Sequence, residues 1–116
     1  MPPTINYKRG DTLIVPFPFS DQTSTKQRPA LVISVDPFNE QGPDLLIMAI
    51  TSQVIGPLRI GEFLIRDWRL AGLLKPSAIK AAVTTIEAKL VRRRLGHLTD
   101  YGLGQLRKAL RELLGV

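Results

Sequence analysis

Cysteine is absent from the 116-residue sequence, and histidine occurs only once, as His97. Without cysteine the chain has neither a disulfide framework nor a thiolate metal site. A single histidine also excludes a multi-histidine metal site within one chain. We therefore expect a protein that works without a metal ion or another cofactor.

Long apolar runs are also missing. Apolar residues make up 44% of the chain, but no run approaches the roughly 20 residues of a membrane span. The first residues, Met1-Pro2-Pro3-Thr4, lack both the basic and the apolar part of a signal peptide. These absences predict a soluble, cytoplasmic protein with no membrane partner, and the length predicts one domain over residues 1–116.

Charge is distributed unevenly between the two halves of the chain. Residues 1–58 carry a net charge of −1, and residues 59–116 carry +7, with Arg92-Arg93-Arg94 as the densest run. A basic half suits a polyanion such as nucleic acid, and it equally suits an acidic protein. The arginine run fits either a solvated face or a track for phosphates. Aromatic residues are sparse, at 6%, and this argues against a plain RNA-binding module built on base stacking.

The hydrophobic pattern predicts a mainly β fold with a C-terminal helix. Short apolar or alternating runs indicate strands, and residues 36–43 have the composition of a turn. The helix should begin at Thr99 or Asp100 as N-cap, with an apolar stripe that docks on the sheet. The predicted strands are 12–17, 30–35, 45–50, 59–65 and 78–86, with one or two helical turns at 66–72 and the stripe at Leu103, Leu106, Leu110 and Leu113. Such an order is typical of a small twisted barrel or half-barrel.

Arg28 lies immediately before Pro29 and an apolar strand. Proline disfavours a helical conformation at the preceding residue, so Arg28 is expected to be extended at the mouth of the strand. A guanidinium held in this way offers a planar fork of donors that matches a phosphate. The alternative is that Arg28 caps a carboxylate of the neighbouring loop, such as Asp21.

Polar side chains gather at two further places. Thr51, Ser52 and Gln53 follow the strand at 45–50, and Ser20 and Asp21 belong to a long polar connection over residues 18–27, which is either functional or a disordered hairpin tip. Two adjacent strands would bring Arg28 close to Thr51. In RNA the nucleophile is the substrate's own 2′-OH, so a protein needs only to orient the phosphate, stabilise its charge and provide a path for the proton.

Several short motifs, taken in order along nearly the whole chain, resemble the MazF/PemK family of type II toxin–antitoxin endoribonucleases. They are Arg9-Gly10-Asp11, Pro18-Phe19-Ser20-Asp21, Lys26-Gln27-Arg28-Pro29-Ala30-Leu31-Val32, Ile50-Thr51-Ser52-Gln53, Asp67-Trp68, Ala71-Gly72-Leu73-Leu74-Lys75-Pro76-Ser77, Thr85-Ile86-Glu87 and Leu95-Gly96-His97-Leu98. The resemblance implies an SH3-like (CcdB/PemK-like) barrel that forms homodimers. It also implies metal-independent cleavage of single-stranded RNA, leaving a 2′,3′-cyclic phosphate and a 5′-OH. An acidic antitoxin would inhibit the toxin, and the toxin would reach DNA through the antitoxin complex.

The family's functional positions carry over to specific residues of this chain. The resemblance assigns catalytic roles to Arg28, Thr51 and, more loosely, Asp21. We assign RNA contacts to their polar neighbours, which are Ser20, Lys26, Ser52 and Gln53.

One departure from the family concerns the general base. Some members carry an acidic residue and a glutamine just before the segment that matches Thr85-Ile86-Glu87, whereas this chain has Ala81 and Ala82. The departure removes a carboxylate base from this strand, so the polar connection over residues 18–27 becomes the expected source of the base. His97 is expected to be structural, in the turn before the terminal helix. A toxin of the same fold that poisons DNA gyrase is a second reading; its terminal helix would carry the activity.

Overall fold

The computed structural model describes residues 6–18 and 25–116, which form one antiparallel sheet and two α-helices. The strands are β1 (Asp11–Pro18), β2 (Thr25–Val32), β3 (Asp44–Thr51), β4 (Phe63–Leu64), β5 (Ala78–Glu87) and β6 (Arg93–His97). The helices are α1 (Asp36–Gln41) and α2 (Asp100–Leu114), with a 3₁₀ turn at Ala88–Leu90. The predicted class, mainly β with a C-terminal helix, is confirmed.

The six strands of the described residues follow the order β4-β5-β3-β2-β1-β6. The central strands are nearly continuous apolar runs, and both faces of the sheet bury side chains. On one face a helix-side core forms under α2, and on the other a second core forms. The helix-side core contains Leu31, Ile33, Met48, Ile50, Ile65, Ala71, Leu73, Ile79, Leu98 and Leu106. The second core contains Leu13, Val15, Ala30, Val32, Leu45, Ile47 and Ile86.

The terminal helix has the predicted start and the predicted apolar stripe. Thr99 is its N-cap, and the Thr99 hydroxyl accepts a hydrogen bond from the Gly102 N–H at 3.2 Å. The helix ends at Gly115 in the left-handed conformation that favours glycine. Leu106 is fully buried, and the other stripe leucines, Leu103, Leu110 and Leu113, pack against the helix-side core.

Two elements were not predicted. Residues 36–43, expected to be a turn, contain α1, which is held by tertiary contacts because Asn39 Nδ2 donates to the carbonyl oxygens of Tyr7 and Ser34, each at 3.0 Å. Residues 93–97, for which no strand was predicted, form β6 at the edge of the sheet beside β1. Edge strands tolerate charged side chains, so the arginine-rich sequence of β6 lacks the apolar pattern from which a strand is predicted.

One predicted strand is shorter than expected. The strand expected over 59–65 contains only β4, Phe63–Leu64. Residues 66–72, predicted to form one or two helical turns, form hydrogen-bonded turns in which the Ala71 N–H donates to Asp67 O at 3.1 Å, the bond of a single helical turn. In the described part of the chain no helix is long and apolar enough to cross a membrane.

Candidate functional site

Arg28 lies inside β2 and not at its mouth, which corrects the prediction. β2 begins at Thr25, so Lys26, Gln27 and Arg28 pair with β1 instead of belonging to the loop. Arg28 stands opposite Val15, and Lys26 stands opposite Phe17. Because side chains alternate along a strand, Lys26 and Arg28 share a face with Ala30 of the second core. Both are exposed, so β2 presents two cations on one face.

Thr51 is the last residue of β3, and the strand register brings it to Arg28. The β2–β3 ladder pairs Val32 with Ile47 and Ala30 with Ala49. Continuing this register by two residues sets Arg28 opposite Thr51 on the same face. The adjacency of the two strands, predicted from the sequence, is confirmed.

The Thr51 side chain is held by its own chain. Thr51 Oγ1 accepts a hydrogen bond from the Gln53 N–H at 3.0 Å, while its contact with Gln53 O is long, at 3.5 Å. The first bond fixes the oxygen, and the hydroxyl proton remains suited to donation to an anion. The contribution of Gln53 to this geometry is therefore its backbone N–H, a role that the sequence did not indicate.

The remaining predicted site residues divide into two groups. Ser52 and Gln53 are exposed just after β3, and Ser52 also borders a cleft on the other face of β2. Ser20 and Asp21 lie outside the described residues. The connection predicted over 18–27 is shorter than expected, because Pro18 ends β1 and Thr25 begins β2.

Ala81 and Ala82 lie in a bulge of β5 close to Thr51. Thr51 of β3 pairs with Ala78 of β5. Further along the same pair of strands, three residues of β5, 80–82, stand opposite the single residue Ala49 of β3. A bulge of this kind changes the direction in which the neighbouring side chains point. Neither alanine offers a proton acceptor, so the departure from the family pattern is also a departure in chemistry.

Glu62 anchors this bulge, although no sequence pattern singles it out. Its side chain is only 3% exposed. One carboxylate oxygen accepts from the Arg59 N–H at 2.9 Å, and the other accepts from the Ala81 N–H and from Lys80 Nζ, both at 3.2 Å. The hydrogen bond from Arg59 has the largest effect and, with those from Ala81 and Lys80, outweighs the opposing effect of burial and lowers the pKa of Glu62. Glu62 is thus an ionised structural group beside the candidate site.

His97 is the last residue of β6, not part of a turn, and lies far from Arg28. His97 pairs with Asp11 at one end of β1, and Arg28 pairs with Val15 four residues further along. At about 3.3 Å per residue the separation along the strand is roughly 13 Å. His97 Nδ1 donates to Asp11 Oδ1 at 2.8 Å, and Arg94 contacts the other oxygen of this buried carboxylate at 3.1 Å.

No metal centre can be built from the described residues. Within residues 6–18 and 25–116, no group of three or more His, Cys, Asp or Glu side chains is arranged to hold a metal ion. The predicted site therefore consists, in the part described, of two cations, a positioned hydroxyl and exposed polar groups at the end of β3.

Several solved structures of endoribonucleases and MazF proteins have a similar fold. An endoribonuclease in complex with its cognate antitoxin from mycobacterial species superposes with a TM-score of 0.76 at 16% identity, covering 95% of this chain and 96% of that one. MazF in a MazE–MazF structure from Deinococcus radiodurans gives 0.74 at 21%, covering 97% and 99%. Mycobacterium tuberculosis toxin MazF-mt6 gives 0.69 at 20%, covering 90% and 97%. These likenesses establish the barrel fold that the resemblance predicted.

Membership of a family rests on the sequence itself. Comparison with curated protein sequences gives no significant match. The family model of the PemK-like, MazF-like toxin of type II toxin–antitoxin systems matches residues 8–114, nearly the whole chain. The chain therefore belongs to the PemK-like, MazF-like family of type II toxins.

Proposed function

We propose that the protein is the toxin of a type II toxin–antitoxin pair and acts as an endoribonuclease on single-stranded RNA in the cytoplasm. The observation that carries the proposal is the β2–β3 register, whose continuation by two residues from Ala30 and Ala49 sets Arg28 opposite Thr51, in a chain of the PemK/MazF family. The structurally similar mycobacterial protein is itself an endoribonuclease with a cognate antitoxin.

The proposed reaction uses the 2′-OH of the substrate as nucleophile. The 2′-oxygen attacks the adjacent phosphorus, the P–O5′ bond breaks, and the products are a 2′,3′-cyclic phosphate and a 5′-OH. Arg28 would stabilise the negative charge on the non-bridging oxygens as it develops, through two parallel N–H donors. Thr51, with its oxygen held by the Gln53 N–H, would donate to one of these oxygens and orient the phosphate.

The surrounding polar residues complete the proposed site. Lys26, on the same face of β2 as Arg28, would contact a neighbouring phosphate of the RNA. Ser52, Gln53 and Ser20 would contact the RNA beside that phosphate. Asp21 would assist proton transfer, since Ala81 and Ala82 cannot. No metal ion or cofactor takes part in this scheme.

Cleavage in the presence of a chelator tests the proposal. Purified protein is incubated with a long RNA in EDTA, and the fragment ends are analysed. We expect discrete fragments with 5′-OH ends that a polynucleotide kinase labels directly. Bound but intact RNA would identify a binding module, and intact RNA together with inhibited gyrase supercoiling would identify a gyrase poison. Either result would contradict the proposal.

We also propose that the toxin is a homodimer. Apolar side chains remain exposed in the monomer, with Ile55 at 90%, Ile60 at 68% and Leu70 at 73%. The leucine stripe of α2 is docked on the helix-side core and does not belong to this exposed set. Burying these side chains against a second copy would remove them from water. Light scattering should give a dimer mass at micromolar concentration, and a monomer mass would contradict the proposal.

The proposed inhibitor is an acidic segment of a cognate antitoxin, through which the complex would contact DNA. The exposed cations of β2 would attract such a segment and accelerate its association. Because salt screens exposed charges over about 8–10 Å, the association rate should fall as ionic strength rises. A rate that is flat from low to high salt would contradict this mode of inhibition.

A further inference from the structure

An apolar cleft of about 250 Å³ lies directly behind the candidate site. Pro29 and Ser52 border it, and each is the sequence neighbour of a proposed catalytic residue, Arg28 or Thr51. The cleft is therefore on the opposite face of β2 from Arg28 but at the same end of the strands. Its lining is formed by Ile14, Pro29, Ser52, Gly72, Leu73, Leu74, Lys75, Ser77, Arg93 and Leu95.

The wall of the cleft is held by backbone contacts and is not a loose loop. The Thr12 hydroxyl donates to Ala71 O at 2.6 Å, and the Ser77 hydroxyl donates to Lys75 O at 2.8 Å. Gly72, with a φ of +82°, lies against the backbone of Leu95 and Gly96. The segment from Ala71 to Ser77 is thus fixed onto β1 and β6, and it presents Lys75 at a defined place.

Two cations stand on the rim of this apolar cleft. Lys75 and Arg93 are both exposed, and no carboxylate lines the cleft in the described part of the chain. Four basic side chains elsewhere have acidic partners: Arg66 pairs with Asp67, Lys80 with Glu62, Lys89 with Glu87 and Arg94 with Asp11. For Lys75 and Arg93 no such ion pair is present among residues 6–18 and 25–116. The rim of the cleft therefore carries two cations without a counter-charge in this part of the chain.

The combination indicates the chemistry of the ligand. Apolar walls from Ile14, Leu73 and Leu95 suit the faces of a ring system, and the Ser52 hydroxyl can bond to a polar edge. The rim cations suit a phosphate attached to the ring. Small-molecule sites are commonly about 300–1,000 Å³, so a cleft of about 250 Å³ accommodates one such unit and not an extended peptide segment.

We propose that this cleft is a nucleotide subsite, in which one base of the RNA enters between Ile14 and Leu74 while Lys75 and Arg93 bind its phosphate. The inference rests on the proposed RNA cleavage. The subsite selects the nucleotide that flanks the scissile phosphate, because Ser52 directly follows Thr51. It contributes to sequence preference and binding, whereas Arg28 and Thr51 act on the reacting phosphate.

Binding to an RNA that cannot be cut tests the subsite. The cleavage position is mapped first on a long RNA, and an oligonucleotide with a 2′-deoxy sugar at that position is then titrated by fluorescence anisotropy at several salt concentrations. Lys75→Gln and Arg93→Gln should each weaken binding and reduce the slope of log Kd against log salt by about 0.7, the loss of one phosphate contact in a single strand. Lys108→Gln and Arg92→Gln, at exposed positions outside the cleft lining, are the matched controls and should change the slope little.

A second arm tests whether a base occupies the cleft. An abasic residue is moved through the oligonucleotide, and each version is titrated with the wild type and with Leu74→Ala. Leu74 is 93% exposed, so its truncation leaves the fold intact. At one position next to the cleavage site, the abasic substitution should weaken binding of the oligonucleotide to the wild type severalfold. The same substitution should weaken binding to Leu74→Ala much less. Such non-additivity reports direct contact.

The outcomes separate the subsite from the proposed function. Suppose that the wild type cleaves RNA, that the cleft variants bind RNA as their controls do, and that the abasic substitution weakens binding equally with and without Leu74. This result would overturn the subsite and leave the proposed nuclease activity standing. Weaker binding of an acidic antitoxin peptide with unchanged RNA binding would assign the cleft to the peptide, which also overturns the subsite. A wild type that leaves long RNA intact in EDTA would overturn the proposed function itself.

Discussion

Gly72 and Gly96 lie against each other where the segment from Ala71 to Ser77 crosses β6. A Cβ placed on Gly72 would be 2.2 Å from Leu95 O, and one placed on Gly96 would be 2.7 Å from Ala71 O. Both neighbours are backbone atoms, which cannot swing away as a flexible side chain can. The contact therefore requires glycine on both sides, and it fixes one wall of the proposed nucleotide subsite.

Gly72→Ala should be strongly destabilising. The substitution combines the backbone clash with a left-handed conformation, φ +82°, which alone costs an L-residue about 1–2 kcal/mol. We expect a loss of more than about 2 kcal/mol in the free energy of unfolding, measured by urea denaturation. Gly104→Ala is the control, since its Cβ would meet nothing within 4 Å, and a better helix former should stabilise α2 by up to about 1 kcal/mol. Equal stability of the two variants would contradict the contact.

Glu62→Gln should weaken the fold in a pH-dependent manner. The pKa of Glu62 is lowered in the folded state below the usual value of a glutamate, first by the hydrogen bond from the Arg59 N–H. Such a group contributes stability above its unfolded pKa, and the contribution is lost as the pH falls through the folded pKa. The difference in unfolding free energy between wild type and variant should thus be largest near neutral pH and shrink below about pH 4.5.

The control for this prediction is Glu112→Gln on the exposed face of α2, which should change stability by less than about 0.5 kcal/mol at any pH. Urea denaturation at a series of pH values measures both variants. A Glu62→Gln effect that is constant from pH 7 to pH 3 would show that the carboxylate charge does not hold the bulge.

His97→Ala should leave RNA cleavage almost unchanged. The imidazole is bonded to Asp11 at the end of β1 away from Arg28. After its removal Asp11 still accepts from the Lys8 N–H and contacts Arg94, so the loss of stability should be about 1 kcal/mol. Asp11→Ala removes all three interactions and should cost more. A folded but inactive His97→Ala variant, seen in a fluorogenic RNA assay with circular dichroism, would identify His97 as the missing base.

Much of the fold could be predicted because its signals are local. The apolar runs of β1, β2, β3 and β5 and the leucine stripe of α2 are visible in the sequence, and Thr99 has the chemistry of an N-cap. By contrast, α1 depends on Asn39 reaching Tyr7 across the fold. β6 is an arginine-rich edge strand whose partner lies about 80 residues earlier in the chain. Structure that depends on distant partners leaves no local pattern.

The adjacency of the two strands that carry Arg28 and Thr51 was predictable for the same reason. Arg28 and Thr51 were selected by residue type and by resemblance, and their pairing needed only the assumption that two successive strands are neighbours. Glu62 could not be found in this way, because its three hydrogen bonds come from Arg59, Lys80 and Ala81, and the last two lie on another strand. The cleft flanked by Lys75 and Arg93 likewise forms only when the segment from Ala71 to Ser77 crosses β6.

The most direct test of the account is the cleavage rate of Arg28→Ala. If Arg28 stabilises the charge of the reacting phosphate, its removal should lower the rate about 10²–10³-fold with an unchanged circular dichroism spectrum, because Arg28 is an exposed residue. Arg28→Lys should recover little, since an ammonium cannot supply the two-donor fork. Thr51→Val, which keeps the shape and removes the hydroxyl, should lower turnover more than RNA binding. Near-wild-type cleavage by folded Arg28→Ala would contradict the mechanism.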